Sequence, residues 1–227
     1  MAQPLYLGEE EHRLVSDAVS AAEAHTSGEI VTVIAERSDG YTDIALAWSI
    51  LVAFTALAVV AAIPDFYLGL VERVFDLWGH RWTEREVLTL ALGIGVVKFI
   101  SMMLLQLIRP LKFFLIPGPI KTRRVHERAT GFFRVGAEQR TVGSTGILVY
   151  LSMREHRAEI LADRAIAEKV PPETWGEAMA VLLAEIREGR VAEGMAAAVA
   201  EVGKVLAEHC PRLEDDRNEL PDRLIEV

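Results

Sequence analysis

Two uninterrupted apolar segments decide what this chain can fold into. Residues 44–63 contain no ionisable side chain, and residues 87–108 contain one, Lys98. Each segment is long enough to cross a hydrocarbon layer of ~30 Å as a helix. The alternative is a pair of buried core helices, but a core helix rarely stays apolar on every side over such a length. The pattern therefore predicts a two-helix transmembrane hairpin in a chain of 227 residues.

Lysine and arginine are unevenly distributed around these two segments. Residues 109–140 hold eight of them against two glutamates, whereas the loop at residues 64–86 holds three arginines against five acids. Short cytoplasmic flanks carry the excess of lysine and arginine in membrane proteins. The chain is therefore expected to be a two-span protein of the cell inner membrane, with its N- and C-termini in the cytoplasm and the loop outside.

The basic flank is also the predicted contact with lipid. A basic cluster beside a span faces anionic headgroups more often than nucleic acid, so no nucleic-acid partner is expected. The residues predicted to contact membrane lipid are Arg109, Lys112, Lys121, Arg123 and Arg124. Lys98 is an intramembrane candidate, because an ionisable group at that depth is costly and often functional. A lysine that reaches the interface or faces a partner helix is the alternative.

The remaining segments alternate between helix and strand patterns. Residues 29–36 and 147–152 are rich in β-branched and apolar side chains, and residues 157–163 alternate between polar and apolar, as strands do. Helical patterns cover residues 9–24, 122–139, 173–187 and 192–208, while the polar tail at 211–227 is expected to be irregular. Helices combined with a few strands indicate an α/β layer fold.

The predicted strands lie on both sides of the hairpin in the sequence, so neither soluble segment makes a sheet alone. We therefore predict that residues 29–36 join the 146–163 β-hairpin in one sheet, which makes the membrane hairpin an insertion into a domain. The predicted boundaries are 1–40 and 117–210 for the two parts of the α/β domain, 41–116 for the transmembrane hairpin with an interfacial helix and spans at about 44–63 and 87–108, and 211–227 for the tail.

Three sequence stretches resemble a known family. They are TSGEIVTVIAE at residues 26–36, TGILVYLSMREHRAEILADRAI at 145–166, and HCPRLEDDRNELPDRL at 209–224. Together with the hairpin, they resemble the membrane-hairpin branch of the bacterial TPM domain family. The resemblance implies a TPM-like α/β/α sandwich with a two-helix transmembrane hairpin inserted after the first strand. It also implies weak acid phosphatase activity or divalent-metal binding, which some members of the family show.

The carboxylate that matches the family's metal-binding region is Asp163. Glu36 and Asp39 are predicted partners if the two strand ends meet, and Asp215 and Asp216 are another option; calcium or magnesium would be the ion. The family's G-x-G-x-E-G segment is replaced here by residues 164–168, RAIAE. A close backbone approach to phosphate needs such glycines. The alternative is that Asp163 caps a helix or pairs with Arg164.

The sequence names no reaction and no catalytic residue. It contains no phosphate-binding loop, no His-Glu-x-x-His zinc motif and no G-x-S-x-G nucleophile motif. The favoured hypothesis is therefore a membrane-anchored TPM-domain protein that acts as an interaction or accessory module at the inner membrane. Its expected partners are membrane lipid and other membrane or envelope proteins, with a homo-oligomer left open. The alternative is a weak divalent-metal-dependent acid phosphatase or phosphoesterase.

Overall fold

The computed structural model describes residues 7–77, 79–136, 145–212 and 218–227. In chain order the elements are α1 (Glu9–Glu23), β1 (Glu29–Ala35), α2 (Thr42–Ala62), α3 (Pro64–Phe75), α4 (Glu84–Leu105), α5 (Arg109–Leu115), α6 (Gly118–Gly136), β2 (Gly146–Ser152), β3 (Arg157–Ala162), α7 (Arg164–Ala167), a 3-10 turn (Pro172–Trp175), α8 (Gly176–Arg187), α9 (Val191–His209) and β4 (Ile225–Glu226). The chain divides into two compact units, Met1–Asp39 with Gly118–Val227, and Gly40–Pro117.

The first unit is built on a four-stranded sheet in the order β3-β2-β1-β4. β1 runs parallel to β2, with Glu29 beside Gly146 and Ala35 beside Ser152. β2 runs antiparallel to β3, and β4 adds a short parallel edge to β1. The central pair thus joins strands from both sides of the hairpin, which confirms the predicted single sheet.

Helices cover both faces of this sheet. Alternate side chains of β1 and β2, such as Ile30 and Val149, pack against α1, α8 and α9. The other face, which includes Val31 and Tyr150, packs against α6 through Val125, Ala129 and Phe133. Every residue of β1 and β2 is buried, as expected for strands covered on both sides. The α/β/α sandwich predicted from the sequence is confirmed.

The C-terminal tail differs from the expected irregular segment. Residues Ile225 and Glu226 pair with Val33 and Ile34 of β1, and Val227 both donates to the carbonyl of Ile34 and accepts from the amide of Glu36, each at 2.9 Å. Leu220 and Leu224 are buried on opposite faces of the sheet. A two-residue strand is too short for periodicity to reveal, because its burial depends on contacts with a distant part of the chain.

The second unit contains two helices long and apolar enough to cross a membrane, α2 and α4. Only 17% and 6% of their most apolar windows are buried inside the structure, whereas core helices would be mostly buried. The helices run antiparallel, because Gly95 lies against Leu57 and the Gln106 amide donates to the Ala45 carbonyl at 3.0 Å. They form the hairpin that the apolar segments predicted, inserted after β1.

Candidate functional site

Asp163, the predicted metal ligand, acts as the N-cap of α7. Its carboxylate accepts a hydrogen bond of 2.7 Å from the Arg164 amide, and its own amide donates to the Gly146 carbonyl at 2.8 Å. The side chain is only 6% exposed. Such a cap satisfies a backbone donor that the first helical turn leaves without a partner. Asp163 therefore lies beside the start of β2, in the capping role that the sequence left open as the alternative.

Glu36 and Asp39 lie at the other end of the sheet, after the last residue of β1. Glu36 pairs with Arg154 at 3.2 Å, and Asp39 pairs with Arg124 at 3.1 Å. The pairing from Glu29–Gly146 to Ala35–Ser152 separates them from Asp163 by ~20 Å at strand spacing. The structure does not bring the three acids together, so metal binding by any one of them stays a prediction. Asp215 and Asp216 lie outside the described residues.

A different group of acids does converge, in a pocket of about 170 Å³ beside the start of β1. We call it the carboxyl pocket; its lining is Ser20, Glu23, Ala24, Glu29, Arg212, Asn218 and Asp222. The pocket lies where the end of α1 meets the C-terminal tail. Glu23 of α1, Glu29 of β1 and Asp222 of the tail thus line one small pocket. Their spacing in the sequence does not reveal this proximity.

Glu29 binds the tail to the sheet. It is 4% exposed, and its two carboxylate oxygens accept hydrogen bonds from the amides of Glu219, at 3.2 Å, and Leu220, at 3.0 Å. Hydrogen bonds to a charged acceptor are stronger than neutral ones. The motif NELPD at residues 218–222, which carries part of the family resemblance, is therefore the segment that Glu29 holds.

Glu23 has an unusual environment for an acid. It is 9% exposed, and one oxygen, Oε1, accepts the Ile30 amide at 2.7 Å. Oε2 is buried and has no hydrogen-bond donor. Burial raises the pKa of Glu23 to about 8, and the nearby carboxylates of Glu29 and Asp222 act in the same direction, against the Ile30 amide. At neutral pH Glu23 therefore keeps its proton, which it can share with Asp222.

Sequence reasoning missed Glu23, although one signal was present. Glu23 is the last residue of α1, where the helix dipole disfavours a carboxylate. An acid in that position requires compensation, and the Ile30 amide supplies part of it. β4 pairs with β1 at Val33 and Ile34 and does not reach Ile30. Glu23 therefore accepts an amide of β1 for which β4 provides no partner.

A second polar network closes the opposite end of the central strands. Glu155, 3% exposed, accepts the Ser38 amide at 3.0 Å and the Ser152 hydroxyl. The Ser38 hydroxyl contacts the hydroxyls of Tyr150 and Ser152, each at 3.0 Å, and burial raises the pKa of Tyr150. Ser152 and Tyr150 are fully buried. A substrate therefore cannot reach the hydroxyls of Ser152 and Tyr150, and the network fixes the exit of β1.

Replacing Glu155 by alanine should destabilise the first unit by ~3 kcal/mol. The substitution removes the charged acceptor of the half-buried Ser38 amide and of the buried Ser152 hydroxyl, and hydrogen bonds to a charged group contribute ~1.5–3 kcal/mol each. Differential scanning fluorimetry should show a melting temperature lower by ~6–12 °C. Glu168→Ala, on an exposed acid that pairs with Arg164, is the matched control and should melt within ~2 °C of wild type. An equal melting temperature for both variants would contradict the role given to Glu155.

The basic residues predicted to contact lipid have different surroundings. Arg124 and Arg123 pair with acids of their own unit, Asp39 and Glu127. The Lys112 ammonium donates to the Gly40 carbonyl at 2.5 Å. Arg109 is exposed, and Lys121 is half-buried. Lys98 is exposed on α4, and no described residue pairs with it.

The fold and these sites define a class: an α/β/α domain interrupted by a hairpin of two apolar helices. A family model described as the TPM domain matches residues 121–205, which confirms the resemblance seen in the sequence over that part of the chain. The fold is similar to the NMR structure of BA42 protein from the psychrophilic bacteria Bizionia argentinensis sp. nov.. That likeness has a TM-score of 0.57 and 16% sequence identity, and covers 100% of this chain and 99% of the other. No curated protein matches the chain.

Proposed function

We propose that this chain is a membrane-anchored accessory module that holds its TPM domain at the cytoplasmic face of the inner membrane, where the domain docks other membrane or envelope proteins. The observation that carries the proposal is the exposure of the two apolar helices, of whose most apolar stretches 17% and 6% are buried. Exposed apolar helices of this length are typical of segments that cross a membrane. Both ends of the hairpin connect to the unit that contains the sheet, which supports a domain on one side of the membrane.

Charge supports the cytoplasmic placement of the domain. The segment after α4 carries the lysines and arginines that orient a hairpin. Arg109 and Arg123 are exposed in that segment, where anionic headgroups can approach them. Lipid contact at Arg123, Arg124 and Lys112 requires that they share or exchange their present partners, which are Glu127, Asp39 and the Gly40 carbonyl.

Reporter fusions test the topology. A periplasm-active phosphatase fused after Arg81 should be active, and the same reporter fused after Val227 should be inactive. A cytoplasm-active fluorescent reporter should give the reverse pattern. Phosphatase activity at Val227 would overturn the cytoplasmic assignment, while activity at neither site would contradict the second span.

Divalent-cation binding in the carboxyl pocket is a second candidate function. The observation that favours it is Glu23 Oε2, which is buried without a donor beside a second carboxylate, Asp222. Calcium and magnesium prefer oxygen ligands of this kind. Among the described residues no three His, Cys, Asp or Glu side chains converge closely enough to hold a metal. Water and amide oxygens would therefore complete the coordination.

Calorimetry separates this pocket from the Asp163 region. Calcium and magnesium are titrated into the full chain in detergent, and into Glu23→Gln, Asp163→Ala and the control Asp17→Asn, an exposed acid of α1. Binding in the carboxyl pocket predicts heat that Glu23→Gln alone abolishes. Loss in Asp163→Ala alone would instead support the family-based site, and no heat with wild type would reject both.

Phosphoester hydrolysis is the weaker alternative. Asp163 already caps α7, and residues 164–168 contain none of the glycines that a close phosphate contact needs. The hypothesis predicts release of p-nitrophenol from its phosphate ester only when calcium or magnesium is present. A rate equal to that of Asp163→Ala would remove the phosphatase assignment.

A further inference from the structure

The outer edge of β3 offers backbone hydrogen-bonding groups. The Asp163 amide donates to the Gly146 carbonyl. Hydrogen-bonded pairs alternate with non-hydrogen-bonded pairs in an antiparallel ladder. The register therefore assigns the hydrogen bonds to β2 to Leu161, Glu159 and Arg157. The amides and carbonyls of Ala158, Ile160 and Ala162 therefore point away from β2. No hydrogen bond within the described part of the chain reaches these groups.

β3 carries few of the features that protect an edge strand. Natural edges are shortened, bulged, interrupted by proline, or carry charged side chains, lysine above all; of these features β3 has the charges of Arg157 and Glu159. β3 pairs with β2 without a bulge from Arg157 to Ala162, and it contains neither proline nor lysine. Its outward positions are Ala158, Ile160 and Ala162, none of them charged. Such a strand is a template for another strand.

The sequence of β3 is complementary to itself in one antiparallel register. We propose that β3 pairs with β3 of a second copy about a two-fold axis at Ile160, which joins the two four-stranded sheets into one. Ala158 then lies opposite Ala162 of the second copy, and Ile160 lies opposite its own equivalent. The backbone groups of all three outward residues are then hydrogen-bonded to the second copy. Because the axis is two-fold, the assembly stops at two copies.

Charge selects this register over its neighbours. It places the exposed Arg157 opposite Asp163 of the second copy, twice by symmetry, and leaves Glu159 opposite Leu161. Because the Asp163 carboxylate is 6% exposed and caps α7, the attraction acts between neighbouring charges and needs no new hydrogen bond. A slip of two residues in one direction sets Glu159 against Glu159, and a slip in the other direction sets Glu159 against Asp163. Like charges directly opposite destabilise a pair of strands, whereas opposite charges stabilise it. Both slipped registers also lose one of the three outward backbone pairs.

Proline at Ala158 tests the pairing directly. Its amide points outward, so proline removes an intermolecular donor and leaves the bonds to β2 intact, as edge strands tolerate. Full-length wild type in detergent should show, by light scattering corrected for the micelle, a protein mass twice the 25.1 kDa of one chain. Ala158→Pro should show the mass of one chain and melt like wild type. A one-chain mass for wild type, or a two-chain mass for a folded Ala158→Pro, would overturn the proposal.

A charge variant and a cross-link cover the case in which proline disturbs folding. Arg157→Glu should raise the dissociation constant at least ~tenfold, while Arg154→Glu, in the exposed turn outside the strand, should leave it within ~twofold. Ile160→Cys should give a disulfide-linked dimer in oxidised membranes, since the native cysteine, Cys210, is buried. A dimer that Arg157→Glu does not weaken, or that Ile160→Cys does not cross-link, uses another surface and contradicts the proposal.

Discussion

Glu23→Gln should make the TPM domain more stable at pH 8.5 and almost equal to wild type at pH 5. Burial raises the pKa of Glu23 from its ordinary value of 4.5 to about 8 in the folded protein. The folded state then binds more protons than the unfolded state between these two pH values, so stability falls as pH rises. The stabilising contribution of the proton is complete below pH 4.5 and is lost as pH rises through 8.

The size of this effect follows from the same two values. The difference between 4.5 and about 8 sets an upper bound of ~5 kcal/mol on the loss of stability. We expect on the order of 3 kcal/mol, because the pocket is open to water and screening reduces the penalty. The glutamine carbonyl still accepts the Ile30 amide, and its NH2 group donates to Asp222. The variant therefore keeps both contacts and carries no charge at any pH.

Thermal melts from pH 5 to 9 in the presence of a chelator measure this prediction. Wild type should lose ~6–12 °C across the range relative to Glu23→Gln, and Asp17→Asn, an exposed acid of the same helix, should parallel wild type. If the carboxyl pocket binds calcium, adding calcium should reduce the difference in melting temperature between wild type and Glu23→Gln, because a bound cation stabilises the ionised form of Glu23. Parallel curves for wild type and Glu23→Gln would mean that Glu23 is solvated in solution.

The sequence predicted the central sheet because its signals are local. β1 and β2 are continuous runs of apolar and β-branched residues, and the sheet that joins them follows from the inability of either segment to fold alone. The transmembrane hairpin is equally local, since twenty apolar residues in succession have few alternatives. The α6 prediction reached residue 139, while the described helix runs from Gly118 to Gly136, and residues 137–139 lie outside the described part.

The carboxyl pocket was not predictable in the same way. Glu23 and Asp222 are 199 residues apart in the sequence (222 − 23), and they meet only because the tail crosses the end of α1. Glu29 reads as the first residue of a strand, and nothing local shows that both its oxygens accept amides from residues 219 and 220. Asp163 stands out because it ends a clear strand, yet its carboxylate serves the following helix. The sequence predicts strands better than it predicts which acids converge.

The C-terminal tail should contribute more to stability than its short strand suggests. Leu220 is 7% exposed and packs with the cluster that includes Val31 and Phe133. Leu224 is 5% exposed and packs with the cluster on the other face, which includes Val15 and Ile34. Truncating a buried leucine to alanine costs ~2–5 kcal/mol. The two side chains share no cluster, so their effects should add.

The double variant Leu220→Ala/Leu224→Ala should therefore lose ~5 kcal/mol or more, which is comparable to the whole stability of many domains. We expect a melting temperature lower by ~10–20 °C, with each single variant giving about half of that. Hydrogen exchange followed by mass spectrometry should show faster exchange in β1, because the Val227 pairing with Ile34 and Glu36 opens with the tail. Arg223→Ala, an exposed residue between the two leucines, is the control and should exchange like wild type. Unchanged melting of the double variant would mean that the tail does not pack on the sheet in solution, and the carboxyl pocket, which the tail completes, would then not exist as a site.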